Sequence, residues 1–280
     1  FSTPNTQTAM LRSLVGSEMC IRDSVKGEEL QKVELNNEIK KGKFLIGLKQ
    51  HLGGENDSFS KKKSINFITD KGFLNLISSN GIKHKSKQIN ISWVDIPIKN
   101  PKTIERIVFG PFASYESAKK QAEKLKDKGF ETTVAYPKNW EVWIPFEDDL
   151  PEFELKNKIF RKIKNFQITP VLRSEYNVMK LEGPIYIYAQ EEIKINGVNF
   201  GKNFYLLKDS YGTWTLVQKI EFDDYLAGVL PYEIGPNSPL EALKAQAVIA
   251  RTWGIFNSDR FNMDKYHLCV STQCQVYKPS

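Results

Sequence analysis

Four polar residues lie in or beside one alanine-rich segment of the chain, and together they could act on a substrate. Glu233 follows a short apolar run, and Lys244, Gln246 and Arg251 come after it in the chain. A glutamate held at a rigid turn can donate and accept protons, and a lysine or arginine beside it can bind polar or anionic groups of a substrate. The segment from Tyr225 to Trp253 therefore contains a candidate acid/base and candidate substrate-binding groups.

The alanine-rich part of this segment predicts a helix from Leu240 to about Phe256. Ser238 is a suitable N-cap, Pro239 suits the first helical position, and Glu241 lies where a capping box needs it. The helix is apolar on nearly all sides, so we expect it to be buried in the domain core.

The few charges of this predicted helix form a stripe. Glu241, Lys244 and Arg251 share one side, whereas Gln246 points the other way. A buried charge needs an acidic or polar partner, and Glu233 is the nearest candidate. A structural salt-bridge network explains the same pattern, and the helix pattern alone favours that network over a catalytic site.

A second group of chemically active side chains lies between Tyr266 and Tyr277. Cys269 and Cys274 are separated by four residues, and His267 lies two residues before Cys269. Histidine and cysteine at this spacing are zinc-ligand types. The spacing equally allows a local disulfide in an exported protein or two free buried thiols.

Composition and charge place the chain among globular proteins and narrow its partners. Hydrophobic residues make up 40% and charged residues 26% of 280 residues, as in ordinary soluble domains. The net charge of +7 and pI near 9.0 suit a polyanionic partner such as cell wall, nucleic acid or a membrane surface. We find no nucleic-acid-binding motif and no apolar run approaching the ~20 residues of a membrane span. We therefore expect no nucleic-acid partner and no membrane-spanning segment in this fragment.

The elements before Tyr225 are predicted to be mostly strands. Residues 65–69 and 73–77 indicate a hairpin, and residues 89–98 an alternating strand that ends at the prolines 97 and 101. A linker with some helix is predicted at 147–164. Everything from 166 to 222 has β patterning, and further strands are predicted at 44–48, 104–109, 130–136 and 140–146.

Two later turns are strong hairpin signals. Asn196-Gly197 suits a type I′ turn, and residues 209–212 separate two further strands. The fold class we predict is α+β, with a mostly antiparallel sheet or open barrel built around the buried alanine-rich helix.

The middle of the chain predicts a compact βαβ unit. After a strand and the Gly110-Pro111 break, Ser114 caps a helix that ends at Gly129. One face of that helix carries Tyr115, Ala118, Ala122 and Leu125. The phrase V-F-G-P-F-A-S-Y-E-S-A-K-K-Q-A-E-K-L-K-D-K-G-F-E-T resembles the sporulation-related repeat (SPOR), a peptidoglycan-binding module. A plain βαβ excursion without a ligand explains the residues equally well.

The opening segment carries a longer resemblance. Y-L-x-G-V-L-P-x-E followed by P-L-E-A-L-K-A-Q-A-V-x-A-R-T resembles the signature of the stage II sporulation protein D (SpoIID)/LytB family. The resemblance implies action on bacterial peptidoglycan, either as a lytic transglycosylase on glycan strands stripped of their peptides or as a non-catalytic enhancer of a cell-wall amidase. It implies an extracytoplasmic location, although no signal peptide is visible in this fragment.

The resemblance also implies roles for the residues named above. Glu233 would be the single catalytic acid/base, Lys244 and Arg251 would bind substrate, and Gln246 would support the fold. Asp223 and Asp224 are the candidates for a second carboxylate, or else a solvated turn before a strand at Tyr225.

The C-Q-V-Y stretch extends the resemblance and favours zinc held by His267, Cys269 and Cys274. The family often has histidine before the second cysteine, where this chain has Gln273. That difference puts a four-ligand site in doubt, and a zinc ion here would have a structural role.

The predicted domain organisation has three parts. Residues 1–24 are set aside as non-native, because Leu14 to Arg22 resembles translated sequencing adapter. A β-rich part spans 40–222, interrupted at about 100–146 by the SPOR-like module, and 223–280 form the signature region. We expect the domain to be truncated at both ends.

Overall fold

The computed structural model describes residues 35–54, 64–146, 158–173 and 177–278. Within them the chain is α+β with more strand than helix, as predicted. The segment 1–24 and most of the predicted linker lie outside the described residues. Among the described residues, no helix has the length and apolar character that crossing a membrane requires.

The described elements are fifteen strands, three helices, a 3-10 turn and a short helical segment at 35–40. The strands are β1 (Lys43–Leu52), β2 (Ser64–Ile68), β3 (Leu74–Ser78), β4 (Lys83–Ser86), β5 (Gln88–Phe112), β6 (Thr133–Ala135), β7 (Trp140–Pro145), β8 (Lys158–Arg173), β9 (Val178–Lys180), β10 (Ile185–Tyr188), β11 (Ile193–Ile195), β12 (Val198–Phe200), β13 (Asn203–Lys208), β14 (Trp214–Glu221) and β15 (Leu268–Cys269). The helices are α1 (Tyr115–Asp127), α2 (Phe222–Glu233) and α3 (Leu240–Phe256), and the 3-10 turn is Asn262–Asp264.

The strands form two sheets. The first has the order β15-β1-β14-β13-β10-β3-β4, and the second has the order β12-β11-β2-β5-β7-β6 with β8 paired to β5 and β9 paired to β8. Every described strand pair is antiparallel except β1 with β15. The antiparallel character agrees with the predicted fold class.

Strand β5 runs unbroken through the points where we predicted it to end. It passes Pro97, Pro101 and Gly110-Pro111, and it pairs with β8 from residue 91 to residue 108. The register shifts between Pro97 and Lys102, and there the other edge of β5 has neither β2 nor β7 beside it. Because a proline cannot donate a backbone hydrogen bond, this open and irregular stretch is where a strand can contain prolines. The predicted linker is also wrong at its end, because residues 158–164 belong to β8.

The predicted hairpin of residues 65–77 is wrong, whereas the two later hairpins are confirmed. β2 pairs with β5 and β11, while β3 pairs with β4 and β10 in the other sheet. The connection crosses between the sheets, so that Ile65 and Leu74 both point into one core. By contrast, β11–β12 and β13–β14 pair as expected, and Asn196 and Gly197 have the positive φ angles of 50° and 88° that a type I′ turn requires.

The first sheet has a hydrophobic core on each face. Phe44, Phe204 and Leu206 belong to the core between the two sheets, whereas their neighbours Leu45 and Tyr205 pack into a second core. This alternation is expected because successive side chains of a strand point to opposite faces. The second core contains the buried face of α1 that the sequence predicted, together with side chains from β5 and β7.

The unit made of the end of β5, α1, β6 and β7 is therefore packed onto the outer face of the first sheet. Ser114 caps α1 with a capping box, as predicted. β7 lies between β5 and β6 and is antiparallel to both, so β5 and β6 run in the same direction. The predicted βαβ path is present, with a third strand inserted in the middle.

The apolar run before Glu233 is a helix and not the predicted strand. The buried residues of α2 are Tyr225, Leu226, Gly228 and Val229, which is a helical spacing. Tyr225 packs against Phe44 of β1. This contact favours the helix, because the apolar side chains on one helix face can then cover the end of the core.

Candidate functional site

Glu233 is the last residue of α2, and its carboxylate is exposed at the helix end. Its Oε1 accepts a hydrogen bond from the backbone N–H of Val276 at 3.1 Å. Beyond it, Ile234 caps the helix and Gly235 turns the chain with a φ of 87°. The carboxylate therefore has one oxygen held by a backbone N–H, while the side chain as a whole is exposed to solvent.

The segment that holds Glu233 lies along the surface of α2. The backbone N–H of Lys278 donates to the carbonyl of Gly228 at 3.0 Å, and Tyr277 stacks on Tyr225 with ring centres 5.4 Å apart. A Cβ at Gly228 would come within 2.5 Å of this segment, so only glycine allows the approach. We call residues 275–278 the strap, because they fix the position of Val276 over the end of α2.

Two buried hydrogen bonds connect the strap to the core. The hydroxyl of Tyr225 donates to Gln275 Oε1 at 3.0 Å, and the hydroxyl of Tyr277 donates to Gln218 Oε1 at 3.2 Å. Burial raises the pKa of both phenols, that of Tyr277 to about 12, so both remain donors at any physiological pH. The sequence showed C-Q-V-Y as part of a motif, but it did not show that a backbone N–H of this stretch holds Glu233.

The predicted capping box at the start of α3 is wrong, although the helix bounds are confirmed. Pro239 is the N-cap and no side chain caps the helix. The hydroxyl of Ser238 instead donates to the carbonyl of Ile234 at 2.6 Å. Ile234 is the C-cap of α2, and carbonyls at a helix end have no partner within the helix. Glu241 pairs with Lys244 at 2.8 Å.

The basic stripe of α3 is present, but Glu233 is not its partner. Lys244 is paired with Glu241, and Nη2 of Arg251 lies 3.0 Å from Oδ1 of Asp223 in the first turn of α2. All four of these side chains are largely exposed, so each pair contributes little to stability. Among the described residues, no ion pair joins Glu233 to Lys244 or Arg251.

α3 is not buried as predicted. Only Ala250 and Gly254 are fully buried, and Gln246 is half-buried. The side of α3 that faces away from the core exposes large apolar side chains. They are Leu240, Val248, Ile249, Ile255 and Phe256, the last of them 83% exposed. α3 contacts the rest of the fold through a narrow strip because α2 and β1 cover only one of its sides.

His267 is buried and has both ring nitrogens bound to backbone groups. Nδ1 accepts from the N–H of Leu45 at 2.8 Å, and Nε2 lies 3.1 Å from the carbonyl of Leu35, to which it donates in this tautomer. Burial lowers the pKa of His267 to about 4, against the smaller opposing effects of the Leu35 carbonyl and Glu38. The imidazole is therefore neutral at physiological pH and joins the segment at 35–40 to β15.

This burial predicts a pH-dependent contribution of His267 to stability. A fall in pKa from 6.5 to about 4 corresponds to about 3 kcal/mol of the free energy of unfolding, fully present above pH 6.5 and lost as the pH falls towards 4. We expect His267→Gln to be clearly less stable than the wild type at pH 7 and to approach it near pH 4. Urea unfolding of both proteins from pH 4 to 8 measures this difference.

The comparison of the wild type with His267→Gln also cancels the effect of a second titrating group, Asp264, whose contribution to stability changes with pH in the opposite direction. Burial raises the pKa of Asp264 to about 7, so this group stabilises the fold at low pH and loses that contribution as the pH rises. Asp264 is present in both proteins and its effect cancels in their difference. A pH-independent gap between the two unfolding curves would contradict the assignment to His267.

Cys269 and Cys274 meet at the junction of the two cores. Their sulfur atoms are 2.6 Å apart, and the N–H of Cys269 points to the Cys274 sulfur at 3.0 Å. The side-chain hydrogen bond between the two thiols lowers the pKa of Cys269 to about 7, whereas burial raises the pKa of Cys274. The structure therefore brings together the two cysteines that the sequence singled out.

The predicted zinc ligands do not fit a three-ligand site in this arrangement. Both nitrogens of His267 are occupied by backbone hydrogen bonds, and among the described residues no three His, Cys, Asp or Glu side chains are grouped as metal ligands would be. Gln273 accepts from the Trp140 indole N–H at 2.7 Å. Two thiols remain, and a structural zinc site needs four ligands.

A shallow groove of about 420 Å³ opens beside the start of α2. Tyr186, Lys219, Asp224 and Tyr277 are among its lining residues. Tyr186 stacks between Tyr188 and Tyr205, each with ring centres 4.8 Å from its own. Sequence reasoning missed this groove because its residues come from strands far apart in the chain, although the alternating tyrosines of β10 were visible.

Comparison with known proteins gives the following. Residues 210–280 match the family model described as stage II sporulation protein (SpoIID). An uncharacterized protein of Brachyspira hyodysenteriae is 35% identical over 106 residues, which cover 37% of this chain and 28% of that protein. The match thus spans little more than a quarter of that relative. No solved structure matches the chain.

Proposed function

We propose that this chain acts on bacterial peptidoglycan as a lytic transglycosylase, cleaving glycan strands stripped of their peptides with Glu233 as the single acid/base. The observation that supports it most is the placement of Glu233, at a helix end with one oxygen held by the Val276 N–H. The matched region includes α2, α3 and the strap, so it contains every part of this arrangement. A link to cell-wall and sporulation processes is what the family match itself supports.

The proposed reaction needs one carboxyl group and no water. Glu233 gives its proton to the glycosidic oxygen as the bond to C1 of the muramoyl sugar breaks. The resulting carboxylate then takes the proton of the C6 hydroxyl, whose oxygen forms a new bond to C1. The products are a free hydroxyl on the leaving sugar and a 1,6-anhydromuramoyl end, and Glu233 regains its proton.

Groups elsewhere on α2, on α3 and on the first sheet suggest how a glycan would be bound. Lys244 and Arg251 lie on the exposed side of α3 and can exchange their surface partners for polar groups of the substrate. The groove beside α2 offers tyrosine rings and polar side chains, the kinds of group that saccharides bind. We propose Gln246 as a structural residue, and the SPOR-like unit as an additional glycan-binding element. The proposed location is extracytoplasmic, where peptidoglycan is found.

Product analysis tests the proposal. We expect the protein to convert peptide-free glycan strands into fragments that end in anhydromuramoyl groups, detected by mass spectrometry. In water enriched with oxygen-18 these ends should carry no label, because no water enters the product. Labelled reducing ends would indicate hydrolysis, which needs a second carboxylate or its equivalent. Either labelled ends or unchanged strands would overturn the proposal.

One observation favours a second candidate function, a non-catalytic enhancer of a cell-wall amidase. The exposed apolar side chains of α3 form a surface of the kind that binds proteins. Such a protein would bind glycan strands without making anhydro ends and would increase the rate of a purified amidase. The same assay, with and without amidase, separates the two candidates.

A further inference from the structure

The loop between the two cysteines is already closed by hydrogen bonds. The N–H of Cys274 donates to the carbonyl of Ser271 at 2.9 Å, which turns the chain back towards Cys269. The sulfur atoms of the two free thiols are then 2.6 Å apart. Little movement of the backbone separates this arrangement from a covalent bond.

Apart from the Ser271 hydroxyl, 3.4 Å from the Cys269 sulfur, the side chains that could bind a metal beside the two thiols have other partners. His267 is held by two backbone groups and Gln273 by the Trp140 indole, so neither side chain turns to the sulfurs. The carbonyl of Gln273 also accepts from Nη1 of Arg260 at 3.0 Å. Gln273 is thus held by Trp140 of β7 and by Arg260.

We propose that Cys269 and Cys274 form a disulfide bond, and that this bond, in place of a metal ion, holds the loop between them closed. The bond would join β15 to the residue that directly precedes the strap. Because Val276 in the strap holds Glu233, the disulfide fixes the strap from one side while Tyr277 fixes it from the other.

The oxidation needs an external disulfide as oxidant, and thiol–disulfide exchange balances it. Cys269, whose thiol has the lower pKa, attacks one sulfur of the oxidant as a thiolate and releases the other half as a thiolate. Cys274 then gives up its proton, attacks the Cys269 sulfur and releases the second half. The two protons lost by the protein go to the two released thiolates, so that one disulfide is reduced for the one that forms.

Alkylation and mass analysis test the bond directly. The whole chain is used with Cys20→Ser, which removes the third cysteine. After incubation with oxidised glutathione, the protein is unfolded and treated with iodoacetamide, with or without prior reduction. We expect no alkylated cysteine without reduction and two after it, and a peptide that contains Cys269 linked to Cys274.

Two results would overturn the proposal. One is alkylation of both thiols without reduction. The other is retention of one equivalent of zinc after addition of zinc chloride and gel filtration, lost in Cys274→Ser. As a second measurement, the oxidised protein should unfold at a temperature about 5 °C higher than the reduced protein, and this difference should vanish in Cys269→Ser/Cys274→Ser.

The disulfide does not depend on the proposed enzymatic function. Oxidised and reduced protein are both assayed on peptide-free glycan strands. A bond that forms in a protein without glycan-cleaving activity would leave the disulfide standing and remove the transglycosylase proposal. An active protein with two free thiols would do the reverse.

Discussion

Glu233→Gln is expected to lower the rate at which anhydromuramoyl ends form by about 10²- to 10⁴-fold, the usual contribution of a general acid or base. Glutamine keeps the oxygen that accepts the Val276 N–H, so the strap should stay in place. It has no proton to give to the glycosidic oxygen. The initial rate of product release from peptide-free strands, followed by mass spectrometry, measures the effect.

The matched control is Glu241→Gln. Glu241 is an exposed carboxylate in the neighbouring helix, and its known contact is the surface pair with Lys244. We expect its activity to remain within about twofold of the wild type, because an exposed pair of this kind contributes little. Equal product release by wild type and Glu233→Gln would remove Glu233 from the mechanism. Glycan binding that survives in both variants without any product would support the enhancer function.

Trp140→Ala is expected to lower the free energy of unfolding by about 3–5 kcal/mol, as for other large aromatic residues removed from a core. Trp140 is 1% exposed and lies between Tyr115 of α1 and Phe261, with ring centres 5.1 and 5.2 Å away. Its indole N–H also satisfies Gln273, so the alanine variant leaves both a cavity and an unpaired amide oxygen. Urea unfolding followed by circular dichroism measures the loss.

Two further variants separate the causes. Trp140→Phe keeps most of the ring but removes the hydrogen-bond donor, and should cost less than the alanine variant. Phe256→Ala removes an aromatic ring that is 83% exposed, and should change the free energy of unfolding by no more than about 0.5 kcal/mol. If Trp140→Ala were as stable as Phe256→Ala, the second core would not contribute to the fold as described.

The parts of this fold that the sequence predicted correctly depend on local signals. The bounds of α3 follow from Pro239 and the alanine-rich run, and α1 follows from Ser114 and one apolar face. The Asn196-Gly197 hairpin follows from the backbone freedom of those two residues. In each case a few adjacent residues determine the conformation, so no distant partner needs to be known.

Most of the errors have a common physical cause, because they depend on a partner that is distant in sequence. β2 and β3 have a turn between them, yet each finds its neighbours in a different sheet. The six apolar residues before Pro231 fit a strand or a helix, and packing on Phe44 decides for the helix. The burial of α3 was overestimated because an apolar composition does not show whether neighbouring elements cover all its sides.

In the candidate site, too, local signals were readable from the sequence and contacts between distant residues were not. The sequence singled out Glu233 by its motif and the two cysteines by their type and spacing, and their roles remain predictions. The hydrogen-bond partner of Glu233 is the backbone N–H of Val276. Every residue type except proline has such a group, so the sequence could not indicate this contact. The pairing of Arg251 with Asp223, in place of Glu233, depends on the angle between α2 and α3, and that angle is set by packing and not by helix periodicity.

The unbroken β5 strand determines whether the unit made of the end of β5, α1, β6 and β7 could be removed from the rest of the fold. A module inserted in a loop can be removed as a cassette, because its two ends enter and leave at one point. Here the strand that supplies Ile91 to the first core also supplies Ile107 to the second, and β8 accompanies it along both. Deleting the unit would cut a strand shared by both cores. We therefore expect the two cores to unfold in a single cooperative transition.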